Sequence, residues 1–223
     1  LCCASANAQT SKGFSKAMKQ LRSFATADSA RIQTAVDRWW DERKKKDQVP
    51  FTSPDSAVFL YRGKASSVSW SGDFNGWGSK PFPNQGRRIK NTDIWMLACA
   101  FPSAARLDYK VILNGKDWII DPVNPHQQFS GVGGGMPNSE IRMPGWHVDA
   151  AQVLRKEVSP GTLTEHRLQS KALGYEVSYS VYVPAGVADP SRLPVFYVTD
   201  GSEYLDPRLG NMARVLDNLL ADK

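Results

Sequence analysis

Cysteine and histidine are scarce in this 223-residue chain, at three each. Cys2 and Cys3 stand at the extreme N-terminus, so Cys99 is the one thiol left for the interior, and a disulfide-stapled fold is excluded. Cys99 lies in the apolar run Ile94-Trp95-Met96-Leu97-Ala98-Cys99-Ala100 and reads as a small buried hydrophobe. His126, His147 and His166 have no spacing that pairs them on a metal, and they read as surface or packing residues. No apolar stretch approaches the roughly 18 to 20 residues a membrane-spanning helix needs. Gly131-Val132-Gly133-Gly134-Gly135 lacks the Lys-Ser/Thr pair and the following helix pattern of a phosphate loop, and reads as a mobile loop. An initiator Met is also missing.

What is present suits a folded, mildly cationic protein: 41% hydrophobic residues and a formal net charge of +6. Leu1 to Ala8 has the small-residue character of a signal-peptide remnant, with Ala6-Asn7-Ala8 as the cleavage site, which predicts a mature chain starting at Gln9 in the periplasm or outside the cell. Cys2 and Cys3 lack the small residues expected before a lipidated cysteine.

Phe14, Met18 and Leu21 recur at helical spacing, and so do Ile32, Val36, Trp39 and Trp40, which predicts two amphipathic helices over about 11–24 and 29–46, the second capped by Asp28 or Ser29. Arg43-Lys44-Lys45-Lys46 suits the negative end of that second helix and reads as a solvated terminus. After Val49-Pro50 the period changes to two. Val68 and Trp70 alternate with Ser67, Ser69 and Ser71, while Leu107, Tyr109, Val111 and Leu113 alternate with Asp108 and Lys110, as in half-buried strands. Asn114-Gly115 predicts a hairpin, because a type I′ turn needs φ > 0 at both central residues. Short strands broken by Gly, Pro and Asn read as a β-sandwich.

A second unit begins after Trp146. Strands are expected near 152–158, 162–169 and 175–183, then a doubly buried strand at Leu193-Pro194-Val195-Phe196-Tyr197-Val198-Thr199. Asp200-Gly201-Ser202 ends that strand, and Met212, Val215, Leu216, Leu219 and Leu220 form a helical stripe, giving an α/β arrangement.

Four ordered elements carry a resemblance: GDFNGW at Gly72 to Trp77, DYKVILNG at Asp108 to Gly115, DPVNP at Asp121 to Pro125, and MPG at Met143 to Gly145. From Ala57 to Trp146 the chain resembles the early-set, immunoglobulin-like modules of glycogen-branching and debranching enzymes, of glycogen-binding kinase subunits and of a group of esterases. Tyr179 to Gly186, Leu193 to Gly201 and Val215 to Leu220 resemble the start of the catalytic domain of that esterase group, which includes enterochelin and feruloyl-type esterases. The resemblance implies a fold class of a mainly β early-set sandwich with a helical lead, followed by the start of an α/β-hydrolase domain. The corresponding segments are 1–8, 9–50, 51–148 and 149–223.

It also implies a serine esterase acting on siderophore or hydroxycinnamoyl-sugar esters, with no cofactor, no nucleic-acid partner and no membrane span. No G-x-S-x-G motif occurs, and all three histidines precede the place of the nucleophile, so the catalytic residues are expected beyond Lys223 and this chain is expected to be inactive alone. Gly201, Ser202 and Glu203 stand where such hydrolases take an oxyanion-hole N–H, with Tyr204 as a pocket wall; an ordinary strand-to-helix turn is the other reading. Trp77, Lys110 and Trp118 match the sugar-contacting positions of the glycogen-binding relatives, which implies an α-glucan or other glycan as partner. A scaffold role, with the rings packed internally, is the alternative, and a non-catalytic glycan-binding module is the rival function.

Overall fold

The computed structural model describes residues 11–27, 29–79, 84–129 and 136–222. The signal-peptide remnant with its cleavage after Ala8, the pair Cys2 and Cys3, the Asp28 cap and the 131–135 loop lie outside the described residues. The chain divides into two compact units, Leu1–His147 and Val148–Lys223.

In the first unit, helices α1 (Ser11–Phe24) and α2 (Ser29–Lys45) form where the apolar spacing places them. Their stripes, Ala17, Met18, Leu21 and Phe24 on α1 and Ile32, Val36, Trp39 and Trp40 on α2, are buried in one core. That core is completed by alternate residues of a sheet. Strands β1 (Phe51–Thr52), β2 (Ser56–Arg62), β4 (Arg87–Arg88) and β5 (Ile94–Ala100) pair antiparallel in the order β1-β2-β5-β4. Val58, Leu60, Ile89 and Ile94 face the helices, whereas Ala57, Phe59, Trp95, Leu97 and Cys99 face the other way. Trp39 stacks on Phe51 with centroids 5.7 Å apart, and Phe24 meets Trp39 edge-on at 6.0 Å. Each such large side chain contributes roughly 1.5–3 kcal/mol on full burial, so the helical lead is held by hydrophobic packing.

Opposite lies a second antiparallel sheet of β3 (Val68–Gly72), β6 (Arg106–Leu113), β9 (Asn138–Arg142) and β8 (Gln127–Gln128), with β7 (Asp117–Ile119) also paired to β6. Val68, Trp70, Tyr109, Val111 and Ile141 fill the space between the two sheets, where Phe59 packs against Tyr109 at 4.9 Å. The predicted hairpin is present: Asn114 and Gly115 have φ of 55° and 73°, and Lys116 N–H donates to Leu113 carbonyl at 3.1 Å. Cys99 is buried, and burial pushes its thiol up to about 11.

Alternation in β3 predicted a half-buried strand, but Ser69 and Ser71 are buried as well as Val68 and Trp70. The turn that follows β3 folds back over its outer face, where the chain at Gly78 lies against Ser71 Oγ. Asn75 fixes that turn by donating to Trp70 carbonyl at 3.0 Å and accepting from Gly72 N–H at 2.9 Å.

The second unit holds one antiparallel hairpin, β10 (Thr162–Gln169) with β11 (Glu176–Val183), and helices α3 (Gly201–Leu205) and α4 (Met212–Ala221). Two predicted strands are not formed. Over 152–158 the chain runs in bends and turns after a short 3-10 turn at Ala150–Gln152, and the carbonyl of Val153, like that of Ala151 just before, accepts from the Asn218 side chain, at 2.8 and 2.7 Å, instead of from a neighbouring strand. Leu193 to Thr199 is neither paired nor buried; Val195, Phe196 and Tyr197 are 72%, 83% and 89% exposed. An apolar β-branched run needs a partner strand for its N–H and C=O groups, and none of the described strands pairs with it. Among the described residues, no helix is long and apolar enough to cross a membrane.

Candidate functional site

The three residues marked by sequence in the first unit lie on the outer face of the second sheet. Antiparallel partners share a face, and Val111 and Leu113 point into the core, so Lys110 and Ile112 point out. Trp118 is the partner of Ile112 and therefore points out beside it, and Ser71 is the partner of Lys110. Lys110 sits about 7 Å along β6 from Ile112. Ser71 Oγ lies 3.5 Å from Asn75 Oδ1, and a Cβ added at Gly78 would meet it at 3.7 Å, so the turn carrying Trp77 comes to the same face. Trp77 and Trp118 are 38% and 49% exposed.

Asp73 holds Trp77 in place. One carboxylate oxygen accepts from the Trp77 indole N–H at 3.0 Å, and the other accepts from Asp108 N–H at 2.8 Å, so a single side chain ties the turn to β6. The backbone at Trp77 is left-handed, with φ 56° and ψ 36°, directly after Gly76 in the same region. A bulky residue there costs of order 1–3 kcal/mol, which this hydrogen-bonded turn sustains. Asp108, next along the face, has its carboxyl pushed up by burial and by the nearby Asp73 carboxylate, against a hydrogen bond from Asn138 that pulls it down. Sequence reasoning missed Asp73; its signal is the four-residue spacing to Trp77 inside one tight turn.

Further along the same sheet, Glu140 is fully buried and bonded by both Arg106 and Arg142. The two guanidinium groups lie 5.8 and 4.8 Å from the Trp146 ring centroid. Inside the sheets' end, Tyr109 donates to Asp121 at 2.8 Å, and Asn124 donates to Tyr109 Oη at 3.0 Å and to Glu140 carbonyl at 2.9 Å. This is the DPVNP segment, and its polar groups lock the loop onto β6 and β9. Burial pushes His126 down, and its neighbour Arg142 adds to that.

In the second unit, Gly201, Ser202 and Glu203 form the first turn of α3, preceded by Asp200 in the left-handed region at φ 56°. The carbonyl of Asp200 accepts from Glu203 N–H at 3.0 Å and from Tyr204 N–H at 3.2 Å, so those two donors are engaged within the helix. Tyr204 is exposed, and Gly210 packs against its backbone, where an added Cβ would come within 2.6 Å of Tyr204 carbonyl. Asp217 of α4 accepts from Gly161 N–H at 2.8 Å and from Tyr182 hydroxyl at 2.6 Å, and so clamps the helix to the hairpin. His166 bonds Thr164 at 3.0 Å and stacks on Tyr179. Among the described residues no group of His, Cys, Asp and Glu could hold a metal ion.

No protein-family model matches the chain, and no curated protein does. Solved structures do. A ferric enterobactin esterase from Salmonella typhimurium is 17% identical, with a TM-score of 0.61 over 83% of this chain and 55% of its own. An enterochelin esterase from Shigella flexneri is 16% identical over 86% of this chain and 55% of its own, with a TM-score of 0.49, too low to carry weight. The fold is thus that of the first of these esterases, and the chain spans about half the length of either.

Proposed function

We propose that this chain is the N-terminal portion of a serine esterase that hydrolyses carboxylic esters of the siderophore or hydroxycinnamoyl-sugar type. The observation that carries the reading is the fold likeness to a ferric enterobactin esterase across 83% of the chain. In this reading the first unit is an early-set, immunoglobulin-like module with its helical lead, and the second is the opening of an α/β-hydrolase domain. The protein acts in the periplasm or outside the cell. The nucleophilic serine, its histidine and the acid come from polypeptide that follows Lys223, in keeping with a match to about half of the esterase. Gly201 and Ser202 offer the oxyanion N–H from this portion, since Glu203 N–H is already bonded, and Tyr204 walls the pocket.

The test is to assay p-nitrophenyl esters, feruloyl esters and a catecholate siderophore with this chain and with the longer product of the same gene. Hydrolysis by the longer product, lost on a Ser→Ala change at its G-x-S-x-G and not seen with this chain alone, is the expected result. A longer product without that motif, or without esterase activity on any of these substrates, overturns the reading.

One observation supports a second role for the first unit. Trp77, Lys110 and Trp118 share an outward face with both rings open to solvent, an arrangement that suits the C–H face of a pyranose and its hydroxyls. In this role the face binds an α-glucan or another glycan.

A further inference from the structure

Charge is divided unevenly between the two units. Residues 1–147 carry 20 Lys and Arg against 12 Asp and Glu, whereas residues 148–223 carry 8 against 10. Several acids of the first unit are also spent internally. Arg62 pairs with both Asp37 and Asp93, Glu140 is buried between two arginines, and Asp121 is buried in its hydrogen-bond network.

Exposed cations occur on several elements of the unit, Lys44 to Lys46, Lys64 and Lys116 among them, and one group of them lies on α1 and the turn it meets. Helix α1 contains no acidic residue, and its Lys16, Lys19 and Arg22 are exposed on the face opposite Ala17, Met18 and Leu21. Six residues of helix span about 9 Å, so all three charges act within about one Debye length at physiological salt. The turn between β4 and β5 meets the segment that follows α1. Ile89 enters the same core as α1, and Asn91 donates to Ala27 carbonyl at 3.2 Å, beside the end of α1. The exposed cations Arg87 and Lys90 flank Ile89, and Arg87 lies opposite Met96 on the helix side of the sheet. Among the described residues, no large exposed hydrophobic side chain lies on α1, α2 or this turn.

We propose that the outward face of α1, extended by Arg87 and Lys90, docks the protein on an anionic lipid bilayer. Five exposed cations complement a plane of phosphate headgroups. The absence of exposed aromatic rings among them removes both the stacking platform that single-stranded nucleic acid uses and the wedge that inserts into acyl chains. Binding is therefore peripheral, electrostatic and reversed by salt.

The experiment is co-sedimentation of the whole 223-residue chain with vesicles of phosphatidylethanolamine containing about 30% phosphatidylglycerol, from ~50 to ~500 mM NaCl. The chain partitions onto these vesicles at low salt, is released at high salt and ignores pure phosphatidylcholine. Reversal of all five charges, K16E/K19E/R22E/R87E/K90E, lowers partitioning at least about tenfold. The pair K16E/K19E lowers it clearly more than K64E/K116E, which removes two exposed cations of the same unit elsewhere; far-ultraviolet circular dichroism checks that the helices persist. The neutral set K16Q/K19Q/R22Q and the salt titration of the unaltered chain test the same face should the five-site variant not fold. Failure of the unaltered chain to bind anionic vesicles at low salt, equal losses from the two pairs, or tighter binding to a DNA oligonucleotide than to the vesicles overturns the proposal.

Discussion

Tyr109 donates its hydroxyl hydrogen to Asp121 Oδ2 at 2.8 Å with both side chains buried between the sheets and the loop that follows β7. Burial pushes the Asp121 carboxyl up to about 6, although the N–H of Val123 and the Tyr109 hydroxyl pull it down. Its folded pKa is above the unfolded value, so this group's stabilisation is full below about 3.9 and is lost as pH rises through about 6. His126 runs the other way, since its lowered pKa costs stability as pH falls. Urea unfolding at about pH 5 and pH 7.5, compared between the native chain and Asp121→Asn, isolates the carboxyl. The native chain should lose about 1 kcal/mol more than the variant between the two pH values. An equal loss in both would refute the assignment.

The strained turn at Trp77 makes a stability prediction separable from any binding role. Trp77→Gly relieves a left-handed backbone that Trp77→Ala does not, so the glycine variant should be the more stable of the two by about 1 kcal/mol in denaturant unfolding. Asp73→Ala should cost more than a surface change, because it releases both the indole N–H and Asp108 N–H.

For the glycan role, Trp77→Ala and Trp118→Ala should each reduce retention on an α-glucan affinity column by about tenfold or more, equivalent to ~1.4 kcal/mol, with thermal unfolding showing the first unit still folded. No retention of the unaltered chain on any tested glycan would end that role and leave the face as a scaffold.

Gly72 and Gly86 admit no side chain. A Cβ on Gly72 would lie 2.2 Å from Asp108 carbonyl oxygen, and one on Gly86 2.6 Å from the Trp70 ring. In both cases β-sheet backbone or a fully buried indole must move, so Gly72→Ala and Gly86→Ala should each destabilise by about 2 kcal/mol or more. Chemical denaturation measures this directly.

In the second unit, Asn218→Ala removes two hydrogen bonds to Ala151 and Val153 carbonyls, and Asp217→Ala removes those from Gly161 and Tyr182. Hydrogen exchange should show α4 losing protection in either variant while β10 and β11 keep theirs. Unchanged exchange in α4 would mean that its apolar stripe, not this polar clamp, holds it.

The sequence by itself determined what repeats locally. The stripes Phe14-Met18-Leu21 and Ile32-Val36-Trp39 dictate helices, the alternation around Tyr109 dictates a strand, and Asn114-Gly115 dictates its turn, because each follows from the backbone's own period or from a φ that few residues accept. Trp77, Lys110 and Trp118 could be picked out by motif, yet only strand register, together with the turn that folds against Ser71, put them on one face. Tertiary structure alone decided that the serines of β3 are covered, that Asp73 bridges two segments 35 residues apart, and that Asn218 takes the carbonyls of a predicted strand. It decided equally that Leu193 to Thr199 stays unpaired, for an apolar run states a preference for burial but carries no partner, and a strand exists only where a neighbour answers its hydrogen bonds.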